Sequence, residues 1–238
     1  MSRLTIAHLY PEAMNIYGDT GNVIALARRL EWRGLEVAVD RIAVGMPYDF
    51  TRADIVVAGG GEDRSQGQVA TDLAQRSGGI REAAAAGVVF LAICGTYQLL
   101  GHRFVTAAGS EMPGIGLFDM ETFAEPGRMI GNIVVDTAWG SIVGFENHSG
   151  RTHLAPGQHA LGSVVRGHGN NGKTGDEGAV TGNVFGSYLH GAMLPKNPAF
   201  ADELIGRALR RRFGETAAVE TLDDSLEERA AAAAASRP

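Results

Sequence analysis

Cys94, the one cysteine of the chain, stands where a nucleophile is easiest to build. In VVFLAICGTYQLLG an apolar run, Val88 to Ile93, meets Cys-Gly, and a helical pattern follows over Thr96–Leu100. A run that is apolar throughout and bounded by glycine reads as a strand buried on both faces. A residue on the turn from such a strand into a helix projects into the crevice at the sheet's carboxyl edge, where ligands bind. The helix N-terminus favours thiolate over thiol. The next backbone N–H, that of Gly95, can meet an oxyanion formed on a bound carbonyl. This is the logic of the nucleophile elbow with sulfur in place of oxygen. A lone cysteine is also at home as a small buried packing group; Gly95, which leaves room for a substrate, favours chemistry.

A thiolate needs a base. Of seven histidines, His190 is the best placed, because VFGSYLHGAMLP carries an apolar strand into a tight end marked by Gly191 and Pro195. Two parallel strands finishing at one sheet edge can bring Cys94 and His190 into hydrogen-bond reach. His148 and His153, in FENHSGRTHL, are second candidates. Gly59-Gly60-Gly61 follows a third apolar strand and can lend a second backbone N–H to an oxyanion hole.

These residues need a scaffold, and the first half of the chain supplies one by alternating strand and helix signals. Leu4–Leu9, Glu36–Arg41, Asp54–Ala58 and Val88–Ile93 read as strands. A helix capped by Asp19 or Thr20 runs to about Arg33 and stops at Gly34; others lie within Gln66–Arg76 and from Gly79 to Ala86. Alternation of this kind implies a doubly wound, mostly parallel sheet flanked by helices. In the second half Met129–Asp136, Ser141–Phe145, Gln158–Val165 and Val180–Tyr188 read as strands between Gly, Asn and Asp turns, an antiparallel extension of the α/β sheet. Pro198 opens a last helix to about Phe213. Residues 1–213 are read as one domain. Residues 214–238 hold six acidic and two basic residues and the run Ala230–Ala235, and read as a flexible tail or marginal helix.

Composition narrows the function. Lys and Arg total 21 against 27 Asp and Glu, a net charge of −6, which argues against nucleic acid as a partner. No apolar run approaches the ~20 residues of a membrane helix, and MSRLTIAHLYPEAMN has no signal-peptide core, so a cytoplasmic location without membrane insertion is expected. A single cysteine excludes an internal disulfide and a Cys-cluster metal site, and no metal is assigned. The segment Gly167–Thr174, GHGNNGKT, matches a phosphate-binding P-loop literally. That motif needs a following helix to hold phosphate; glycines at 175, 178 and 182 lead into a strand pattern instead, so a wide hairpin loop is expected.

The segments LYPEAMNIYGDTGN, VVAGGGEDRSQ, FLAICGTYQLLG, GRMIGN, GFENHSGRT, GHGNNGKTGDEG and NVFGSYLHGAMLPKNP span nearly all of residues 9–198. Together they resemble the class I glutamine amidotransferases of the cobyric-acid-synthase-like type, whose glutaminase fold is flavodoxin-like. GHGNNG followed by LHGAMLPKNP points to the branch that serves cell-wall peptidoglycan biosynthesis. The resemblance implies Cys94 as nucleophile and His190 as its base and acid. It implies Arg128 in GRMIGN as the group that binds substrate glutamine, Gln98 as a substrate-side residue, and Gly60 and Gly95 as the oxyanion-hole donors. Many class I members carry Glu two residues after the histidine; here that position is Ala192, so the unit is a dyad unless Glu146 or Asp19 orients His190.

The resemblance also implies the chemistry and the company. L-Glutamine is hydrolysed through a thioester, and ammonia passes to a Mur-ligase-like (MurT-type) synthetase partner in a heterodimer. ATP and Mg belong to that partner, and this chain needs no cofactor. The partner activates the α-carboxyl of D-glutamate in the stem peptide of lipid II. The alternatives are a glutaminase for cobyrinate-type amidation, a non-catalytic binding subunit with a structural Cys94, and a nucleotide-binding protein using Gly167–Thr174.

Overall fold

The computed structural model describes residues 3–61 and 63–237. In chain order its elements begin β1 (Arg3–Leu9), α1 (Thr20–Glu31), β2 (Glu36–Ile42), β3 (Ile55–Ala58), α2 (Asp63–Ala85), β4 (Val89–Ile93) and α3 (Gly95–Leu99). They continue with β5 (Arg103–Val105), β6 (Glu111–Pro113), β7 (Met120–Thr137), β8 (Gly140–Leu154), β9 (Gly162–Arg166), β10 (Asp176–Glu177), β11 (Ala179–Thr181), β12 (Val184–Ser187), α4 (Pro198–Phe213) and α5 (Ser225–Ala235). The first sheet runs β11-β12-β4-β3-β1-β2 and is parallel except for the β11–β12 hairpin. Its central strands β3, β4 and β12 are buried at every residue, as their unbroken apolar runs require. No helix among the described residues is long and apolar enough to cross a membrane.

The expected doubly wound architecture is present, and most of the antiparallel extension stands as a second sheet, β10-β9-β7-β5-β6, with β8 paired to β7. Three elements differ from the sequence expectation. Gln66–Arg76 and Gly79–Ala86 are one helix, α2, because Leu73, Ile80 and Ala83 continue one buried stripe across Gly78 and Gly79. Each mid-helix glycine costs about 1 kcal/mol, which packing of that stripe on the sheet offsets. Val180–Tyr188 is a hairpin, turned at Gly182 (φ +57°) and Asn183, a two-residue loop that the β-run conceals. Of Gln158–Val165, only the stretch from Gly162 is strand.

α1 and α4 are joined by the buried Arg29, whose guanidinium meets Asp202 at 2.7 Å and Asp224 at 2.5 Å. Asp224 belongs to the C-terminal segment, and Arg33 Nε donates to Glu220 O at 2.7 Å, so residues 214–224 are tied to α1. No side chain of α5 is buried. Removing residues 214–238 is expected to leave both sheets folded, since Arg29 keeps Asp202. The loss of one carboxylate partner should cost about 1–3 kcal/mol, a fall of a few degrees in Tm. Loss of the cooperative melt would place the tail inside the folding unit.

Candidate active site

Cys94 links β4 to α3 with φ +50° and ψ −105°. A non-glycine residue there stores about 1–3 kcal/mol of strain, which persists only where the surroundings impose it. They do: β4 is buried throughout, the Cys94 N–H donates to Ser187 O at 2.8 Å, and its carbonyl accepts from Gln98 N at 2.9 Å. The parallel β4–β12 register, Ser187 beside Ile93, therefore delivers the chain after β12 to the elbow. His190 lies three residues on from Ser187 in no regular strand, and is clamped by Phe145 of β8, which accepts its N–H at 2.7 Å.

Gly60 packs between the two. A Cβ at Gly60 would stand 2.8 Å from His190 Cε1 and 3.1 Å from Cys94 Cβ, so only glycine fits. Asp19, just before α1, is buried with one oxygen 3.6 Å from His190 Nδ1 and the other accepting the Gly60 N–H at 2.8 Å. The Tyr17 ring meets His190 edge-on at 4.5 Å. Burial depresses the basicity of His190, but the negative charge of Cys94 and the Asp19 carboxylate outweigh it and push its pKa up to about 10. An imidazole held cationic in this way is placed to give a proton to a leaving group.

The elbow opens on a cavity of about 440 Å³ whose walls include Tyr17, Cys94, Gln98, Arg128, Asn147 and His148. Arg128 reaches it from a bulge in β7, where register shifts between Ala124 and Met129 and Gly127 adopts φ +83°. Asn147 holds Arg128 in place, its Oδ1 accepting from Nε at 2.6 Å and its carbonyl from NH2 at 2.8 Å.

The structure sorts the remaining candidates. The Gly60 N–H is donated to Asp19, so it is engaged with a carboxylate rather than free for an oxyanion; the Gly95 N–H stands at the first turn of α3. Gln98 lies on the cavity wall with both amide ends occupied, Oε1 by Gln66 Nε2 at 2.8 Å and Nε2 by Tyr188 Oη at 3.1 Å. Of the two carboxylates open to orient His190, Asp19 is the one beside it. Glu146 instead accepts the N–H groups of His168 and Gly169, at 2.7 and 3.0 Å, and lies 3.7 Å from His148. His153 is exposed on β8, away from the elbow, while His148 is buried in the cavity wall. Gly167–Thr174 leads into β10 with no helix after it, and two of its N–H groups are taken by Glu146. The sequence reading missed Tyr17 in a loop, Gln66 on α2 and Asn147 on β8, polar or aromatic residues with no local signal.

Residues 5–198 match the model of the CobB/CobQ-like glutamine amidotransferase domain. The chain belongs to that family. This amidotransferase is 40% identical over 213 residues to the lipid II isoglutaminyl synthase (glutamine-hydrolyzing) subunit GatD of Staphylococcus aureus, spanning 89% of this chain and 87% of that one. It is 39% identical over 227 residues to the GatD subunit of Streptococcus pneumoniae, covering 94% and 87% of the two chains. A crystal structure of a glutamine amidotransferase superposes with a TM-score of 0.59 over 85% of this chain and 98% of that one; at 13% identity it supports the fold alone.

Proposed function

We propose that this amidotransferase is the glutamine-hydrolysing subunit of a lipid II isoglutaminyl synthase, working through Cys94 and His190. The observation that carries the chemistry is the strained elbow that sets Cys94 beside a buried, positively biased His190. A structural cysteine has no need of that backbone. The cell-wall assignment rests on the similarity to the two GatD subunits.

Arg128 grips the α-carboxylate of L-glutamine with the guanidinium edge that Asn147 leaves free. The Cys94 thiolate attacks the side-chain amide carbon, and the Gly95 N–H meets the resulting oxyanion. His190, oriented by Asp19, gives its proton to the leaving nitrogen, and ammonia departs from a γ-glutamyl thioester. His190 then takes a proton from water, which attacks the thioester and releases glutamate and the thiolate. Ammonia passes to a Mur-ligase-like, MurT-type partner that holds ATP and Mg and amidates the D-glutamate α-carboxyl of lipid II. Purified together with such a partner, the chain should support glutamine- and ATP-dependent amidation of lipid II. Glutamine hydrolysis without lipid II amidation in that mixture would redirect the ammonia to another acceptor.

Arg128→Ala is expected to lower kcat/KM for glutamine by about 10–100-fold, the weight of a charge-assisted pair, with Tm unchanged because the side chain is exposed. Arg128→Lys should recover part of the loss, since an ammonium supplies charge without the fork. A near-wild-type specificity constant in Arg128→Ala would remove Arg128 from the binding site. Arg151 is no substitute: it is spent on Ser149 O, Gly127 O and Glu125.

A further inference from the structure

Resting on the reading of the cavity as a glutamine site, we infer that His148 Nε2 is the acceptor for the substrate's α-ammonium group, with the Glu146 carboxylate behind it. Among the side chains lining the cavity, His148 is the one that carries a buried nitrogen or oxygen with no hydrogen-bond partner, and that atom is Nε2. The residue is 2% exposed. Buried polar atoms are almost always paired, so an unpaired one on a side chain in the wall of a ligand cavity calls for a ligand.

The protonation pattern follows from the neighbours. Nδ1 lies 2.9 Å from Gly150 O, an acceptor, so Nδ1 carries the hydrogen. Burial lowers the basicity of the ring against the opposing pull of Glu146 and Gly150, and in the neutral ring with its hydrogen on Nδ1 the Nε2 atom carries a lone pair. Glu146 Oε2 stands 3.7 Å from Nε2. Two acceptors thus face each other with no protein donor between them, an arrangement that a cationic donor relieves. The ring cannot turn away to find one: Tyr188 stacks on it at 3.5 Å and 5°.

Position fits the same group. An amino acid carries its ammonium on the carbon that bears its carboxylate, so an α-ammonium acceptor must lie near the carboxylate grip. His148 directly follows Asn147, which holds Arg128. The Gly167–Thr174 loop finds its purpose here: the His168 and Gly169 N–H groups hold the Glu146 carboxylate in place beside His148.

The test compares binding of L-glutamine with 4-carbamoylbutanoate, which is glutamine without its α-amino group. Calorimetric titration of the full-length Cys94→Ala chain avoids turnover. The Kd for L-glutamine should be about 10–100-fold below that for 4-carbamoylbutanoate, the weight of a hydrogen bond to a charged group. His148→Asn places an amide nitrogen near Nδ1, which can keep the Gly150 bond, and removes the acceptor; it should raise the glutamine Kd by most of that factor and leave the analogue's Kd within twofold. His148→Gln, which can return an oxygen near Nε2, should restore part of the preference. Equal weakening of both ligands, an unchanged glutamine Kd in His148→Asn, or no glutamine binding would overturn the assignment. Preference carried by His148, together with no glutamine hydrolysis by the chain that keeps Cys94, would instead overturn the catalytic reading and leave this one standing.

Discussion

Cys94→Ala is expected to abolish glutamine hydrolysis, with a fall of about three to six orders of magnitude in kcat, as for loss of a covalent nucleophile. Stability separates this role from a structural one. Cys94→Gly should be equally inactive, yet it relieves the φ +50° strain and should raise Tm by about 2–4 °C, the equivalent of ~1 kcal/mol in a chain of this size. A cysteine kept for packing behaves in the opposite way, since both substitutions would then lower Tm. Measurable hydrolysis by Cys94→Ala would end the thioester mechanism.

The second large effect concerns Asp19. Asp19→Asn should reduce kcat/KM by about 10²–10⁴-fold, the range for an aspartate that fixes a catalytic histidine. The asparagine oxygen can still accept the Gly60 N–H, so the local fold should survive. The pH dependence has a definite sign. His190 is pushed up to about 10 in the folded chain, against about 6.5 unfolded. Its contribution to stability is therefore complete below pH 6.5 and is lost as pH rises through about 10. Without the Asp19 carboxylate the folded pKa drops, and that loss moves to lower pH. NMR titration of His190 and urea melts between pH 6 and 10 would read both; an unchanged His190 titration in Asp19→Asn would remove Asp19 from the catalytic unit.

The features legible in the sequence are those set by strand burial. Val88–Ile93 has one way to sit, between strands and under helices, and its carboxyl end fixes Cys94; the same holds for Val184–Ser187 and His190. The neighbours contributed by loops were not legible. Nothing local distinguishes Asp19 from Glu146, because the choice depends on how the segment before α1 folds over β3 and on how β8 meets the Gly167–Thr174 loop. The oxyanion expectation for Gly60 rested on a glycine-rich turn after a strand, whereas the direction of its N–H is set by Asp19, a long-range partner. Arg128 owes its position to a bulge in an 18-residue strand of which only the later part, Met129–Asp136, carries a clear β signal.

Glutamine hydrolysis through Cys94 requires a covalent γ-glutamyl thioester, with His190 as proton carrier. Rapid acid quenching of the full chain with L-glutamine, followed by intact-mass and peptide mass spectrometry, tests it directly. One γ-glutamyl group is expected on the peptide containing Cys94, absent in Cys94→Ala and accumulating in a His190→Ala chain supplied with external acid to release ammonia. Steady hydrolysis of glutamine with no adduct on that peptide under any quench would contradict it.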